Sequence, residues 1–145
     1  MSYEYEFELP LNVIIKRKKT KDKKVSISFN SFRTLHHRQY NEAKELYKKI
    51  VSTQFKGLIK PSGKLHCHYE YYAARNNKPD LDNFVGGAKK FFQDAMVECG
   101  FIEADDVNVI CSNSEKYMGI DKENPRIIVK IQELAKYKFK CKELE

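Results

Sequence analysis

The chain has no tryptophan, no CxxC pair, and no apolar run near the roughly 20 residues that a membrane-crossing helix requires. The missing apolar run excludes a helical membrane span. Cys67, Cys99, Cys111 and Cys141 are widely scattered, and reduced thiols in a cytoplasm are expected. The opening Met1-Ser2-Tyr3-Glu4 is polar and acidic, unlike a secretory signal. Also absent are a Gly-rich phosphate loop, a Ser-His-Asp set and a Cys-His nucleophile pair, so covalent nucleophilic catalysis has no visible carrier. Neither an internal repeat nor a domain linker is apparent.

What is present is basic and aromatic. At 145 residues the chain reads as one domain, 1–145, long enough to bury a single core. A hydrophobic content of 41%, with nine Tyr and nine Phe, suits a folded protein rather than a disordered one. The formal net charge of +7 favours a polyanionic partner. A soluble protein with spare lysines carries the same charge, so charge alone does not decide.

Tyr3, Tyr5, Phe7 and Leu9 alternate with glutamates, which predicts a strand with one buried face. Val13-Ile14-Ile15 resumes a strand after Pro10, and Val25, Ile27 and Phe29 alternate with serines in another. Between them, residues 16–24 carry too much like charge for a core and read as a solvated hairpin tip or loop. Ala43, Leu46, Tyr47, Ile50 and Val51 mark one face of a helix from about Phe32 to about Thr53. Leu65 to Tyr72 alternates again. Leu81 to about Cys99 reads as a second helix capped by Asp80 or Asp82, with Gly86-Gly87 an oddity inside it. Val107 to Cys111 and Arg126 to Ile131 complete the strands. The basic tail, about 134–145, reads as helical. This order predicts an α+β fold: a small mixed sheet with two main helices on one face.

Lys78-Pro79-Asp80-Leu81-Asp82-Asn83, Lys90, Asp94 and Asp105-Asp106 are the most informative residues. Magnesium is a hard ion that takes oxygen ligands, typically carboxylates together with substrate phosphate. Asp80 and Asp82 share a direction if their segment is extended. A helix folding back on the sheet is expected to bring Asp105-Asp106 beside them, and a nearby lysine stabilises developing negative charge. Each piece alone has a plainer reading: a helix cap, a polar turn, a solvated face. Together, in a chain this basic, they point to a metal-dependent enzyme that cuts nucleic-acid phosphodiesters.

The set Lys78-Pro79-Asp80-Leu81-Asp82-Asn83, Lys90-Phe91-Phe92-Gln93-Asp94-Ala95-Met96, Gly100-Phe101-Ile102 and Asp105-Asp106-Val107 resembles the signature of the RusA family of Holliday junction resolvases. The resemblance implies a small, dimeric, Mg²⁺-dependent endodeoxyribonuclease of phage or prophage origin, with Mn²⁺ as an alternative ion. It implies metal ligands Asp80, Asp82 and Asp106, with Asp105 beside them, and Lys90 assisting the chemistry. One departure stands out. The family usually has its lysine three residues after the asparagine, where this chain has Gly86. Gly86-Gly87-Ala88-Lys89 reads as an insertion, adding about 6 Å to an unbroken helix. Either the glycines bend the helix, or Lys89 replaces Lys90.

Arg17, Lys18 and Lys19 in the basic run are candidate DNA contacts, as are Arg75, Lys78 and Lys89 nearer the acids. His66 and His68 share a strand face, but no second ligand pair follows at zinc spacing. Two other readings stand beside the nuclease: a branched-DNA-binding relative that lost catalysis through the glycine insertion, and a small interaction protein whose acids only cap a helix.

Overall fold

Period-two alternation builds the main sheet. The computed structural model describes residues 3–76 and 80–134. In β4 (Lys64–Ala73), Leu65, Cys67, Tyr69, Tyr71 and Ala73 are buried while the residues between them are half-buried. β1 (Tyr5–Leu9) buries Phe7 and Leu9 and exposes Glu6 and Glu8. β6 (Arg126–Leu134) buries Ile127, Val129 and Ile131. With β5 (Ile110–Ile120) these form a four-stranded sheet in the order β1-β6-β4-β5. β6 runs antiparallel to both β1 and β4, whereas β4 and β5 are parallel.

Two helices cover the apolar side. α2 (His37–Ser52) contributes Ala43, Tyr47 and Val51; α3 (Leu81–Glu98) contributes Val85, Ala88, Phe91, Phe92, Ala95 and Met96. They join one core with the buried strand residues. Each large apolar side chain buried there stabilises the fold by roughly 1.5–3 kcal/mol. Burial also pushes the Cys67 thiol up to about 12. The result is the expected α+β domain: a mixed sheet and two main helices.

Three element boundaries differ from the sequence reading. The helix expected from about Phe32 to Thr53 is two helices, α1 (Phe29–Thr34) and α2. Leu35 is extended between them, and the His36 ring Nδ1 accepts the Arg38 N–H at 3.2 Å, capping α2. The strand expected through Phe29 stops earlier, as β3 (Lys23–Ser26). Buried Ser28 caps α1, its Oγ accepting the Ser31 N–H, so Phe29 is already helical. The strand expected at Val107 starts at Ile110, because residues 106–109 form a turn. In that turn the Asp106 carboxylate accepts the Asn108 N–H at 2.9 Å.

β2 (Asn12–Ile15) and β3 form a separate antiparallel hairpin, with Val13 opposite Val25. The exposed basic run sits at its tip, where Lys16 pairs with Asp22 at 3.0 Å. The basic tail beyond Leu134, with Cys141, and residues 77–79, including Lys78, lie outside the described residues; Leu134 itself ends β6. Among the described residues no helix is long and apolar enough to cross a membrane.

Candidate active site

Asp80 is the N-cap of α3. Its backbone is extended (φ −96°, ψ 117°), and its carboxylate accepts the Asp82 N–H at 2.9 Å. That satisfies one of the N–H groups a helix start leaves unpaired. Asp82 lies in the first turn, exposed, where the helix dipole favours negative charge. The segment is therefore not extended through both acids, and the shared strand face expected for them does not form: the chain turns helical at Leu81. Asn83 has a structural task of its own. Its Oδ1 accepts the Asn30 N–H at 2.8 Å and pins the start of α1 to α3.

Gly86 and Gly87 do not break the helix; α3 is continuous for 18 residues. They let α1 approach it instead. A Cβ on Gly86 would overlap the Phe29 ring, and one on Gly87 would lie 2.8 Å from the Ser28 Cα. Lys90 therefore stays about one turn beyond the Gly86 position.

A cavity of about 470 Å³ runs beside α3. Asp82, Lys89, Lys90, Asp94, Asp105 and Glu115 line it, with Phe29 and Gly86 on one wall. Lys89 is held: its Nζ lies 3.2 Å from Glu115 Oε1 and 5.7 Å over the Tyr69 ring. The Tyr69 hydroxyl is buried beneath; Gln93 neighbours it, but their contact falls short of a hydrogen bond. Lys90 is exposed. Asp94 pairs with Lys44 of α2 at 2.9 Å, and this hydrogen bond raises the Lys44 pKa against the lowering effect of burial.

Topology separates the two acid pairs. Asp80 and Asp82 begin α3 just beyond the end of β4, whereas Asp105 and Asp106 follow α3 and precede β5. Because β4 and β5 are parallel, α3 must return along the whole sheet. Its 18 residues span about 27 Å. Asp82 and Asp105 both line the cavity, while the Asp80 and Asp106 carboxylates each accept a backbone N–H. Among the described residues no three His, Cys, Asp or Glu side chains gather to hold a metal ion. The oxygen donors suit magnesium chemically, but the trio Asp80, Asp82 and Asp106 does not assemble within one chain.

Residues 10–132 match the family model of endodeoxyribonuclease RusA. The chain belongs to the RusA family of Holliday junction resolvases. No curated protein matches it.

The RusA match spans the hairpin, both main helices and most of the sheet. It therefore places the basic tip with Arg17, Lys18 and Lys19 and the α3 cavity within one family domain. Arg75 is exposed and lines a second pocket with Lys24 and Tyr71, between β4 and the hairpin. His66 and His68 lie on the open sheet face, hydrogen-bonded to Ser112 and Ser114. Sequence reasoning missed Glu115 and Phe29. Glu115 sits in a polar stretch of β5 whose alternation is too weak to announce a strand. Phe29 looked like a strand residue.

Proposed function

We propose that this RusA-family protein resolves four-way DNA junctions as a two-fold homodimer dependent on Mg²⁺, with Mn²⁺ as a substitute ion. The observation that carries this reading is the α3 cavity, where acids and lysines from a helix, a loop and a strand face one space. Asp80, Asp82 and Asp106 are the proposed metal ligands, with Asp105 beside them. Bound magnesium would supply charge neutralisation at phosphorus and an activated water. Lys90, with Lys89 as the alternative, is the proposed contact to the scissile phosphate.

The separation of the acid pairs along α3 gives the dimer a purpose. A two-fold axis across α3 reverses its direction. Each protomer's Asp80–Asp82 end then faces the Asp105–Asp106 end of its partner, completing two equivalent sites. A junction with near two-fold symmetry needs two such nicks. The process served is recombination, repair or phage DNA processing in a bacterial cytoplasm, with phage or prophage ancestry.

Arg17, Lys18, Lys19, Arg75 and Lys78 are proposed to follow the phosphate backbone, and the hairpin supplies a direct test. Binding of a four-way junction, measured against salt concentration, should lose about 2–3 units of slope when Arg17, Lys18 and Lys19 become alanine together. An unchanged slope would remove the hairpin from the DNA interface. A protein that binds junctions no better than linear duplex would not be a resolvase.

A further inference from the structure

The proposed site contains a carboxylate that its acidic motif does not include. We infer that Glu115 is a positioning residue, holding Lys89 as the lysine that contacts the scissile phosphate; this rests on the nuclease reading of the α3 cavity. Seven residues separate Lys89 from Asp82, which returns it to within about 20° of the same helix face; Lys90 lies about 80° away. Lys89 is also the ordered one. Its ammonium is fixed between Glu115 Oε1 at 3.2 Å and the Tyr69 ring at 5.7 Å, and the pair is largely shielded, with side-chain exposures of 26% and 23%. Lys90 stands exposed at the cavity rim.

Glu115 is well placed for this task. It pairs in register with buried Tyr69 on β4 and points into the cavity rather than to solvent. β5 is the edge of the sheet, so the acid reaches the helix from a second, rigid element. An ammonium has three N–H donors. With one donated to Glu115, two remain for phosphate oxygens, and a fixed direction reduces the ordering needed when substrate arrives.

A double-mutant cycle tests this, read as single-turnover nicking of a labelled four-way junction in Mg²⁺ with junction binding measured alongside. Lys89→Met should slow nicking by about 30-fold and Glu115→Gln by about 10-fold, with junction affinity within about threefold of wild type. Glu115→Asp should recover part of the rate. Glu115→Gln added to Lys89→Met should cost little more than Lys89→Met alone, because the acid acts through the lysine. A merely structural acid would give additive losses or a lowered melting temperature with no change in rate, and either result overturns the inference. So would wild-type nicking by Glu115→Gln, or a larger loss in Lys90→Met than in Lys89→Met. A wild-type protein that binds junctions but never nicks them overturns the nuclease reading itself, and the role of Glu115 with it.

Discussion

Asp82→Asn will slow junction nicking by about 10³-fold, equivalent to about 4 kcal/mol of transition-state stabilisation. It will leave junction binding within about threefold of wild type. Asp82 is exposed at the first turn of α3, and its carboxylate accepts no hydrogen bond among the described residues. Its loss therefore has little to cost the fold, and the effect should fall on rate. Asp80 provides the contrast. Its carboxylate caps α3, so Asp80→Ala removes about 1 kcal/mol of stability as well as a proposed metal ligand, whereas asparagine keeps the cap. Melting temperatures measured beside nicking rates separate the two roles. An Asp82→Asn protein that nicks at more than a tenth of the wild-type rate would remove Asp82 from the chemistry.

Gly87→Ala will destabilise the protein by about 2 kcal/mol, although alanine is the better helix former by about 1 kcal/mol. An added Cβ would meet the Ser28 Cα at 2.8 Å and the Ile27 carbonyl oxygen at 3.1 Å. Both are backbone atoms of buried residues, so relief requires α1 to move away from α3. That movement strains the Asn83–Asn30 hydrogen bond as well. For a domain of this size the melting temperature should fall by roughly 5–8 °C. Gly86→Ala should cost less, because its neighbour is a phenyl ring that can swing, though into the cavity. A Gly87→Ala variant at least as stable as wild type would show that the close approach of α1 does not matter.

The glycine pair shows where sequence reading stops. Its oddity inside a helix was plain from composition, but its cause, an α1 lying against it, depends on residues more than 50 positions earlier. Elements with strong period were legible: β4 and β6 from their alternation, α3 from its apolar face and the Asp80 cap. β5 was cut short because its edge position tolerates a polar, weakly alternating sequence. The α1–α2 break was hidden because Leu35 and His36 continue an acceptable helix pattern, whereas the extended Leu35 backbone and the His36 ring on the Arg38 N–H divide the two helices. At the site, residue types were readable and arrangement was not. Spacing along the chain placed Asp105-Asp106 one helix after Asp80-Asp82. The parallel pairing of β4 and β5 makes that helix a separator rather than a bridge.

The glycines also bear on whether the site is intact. α3 is continuous and carries Lys89 and Lys90 to the cavity on the same helix as Asp82, so the glycines leave these three side chains lining one space. The most direct measurement is cleavage of a labelled, mobile four-way junction by the wild-type protein in Mg²⁺. Paired nicks placed symmetrically on two opposed strands are the expected result. Tight junction binding with no nicks, in Mg²⁺ or Mn²⁺, would contradict the account and leave a branched-DNA-binding member of the RusA family.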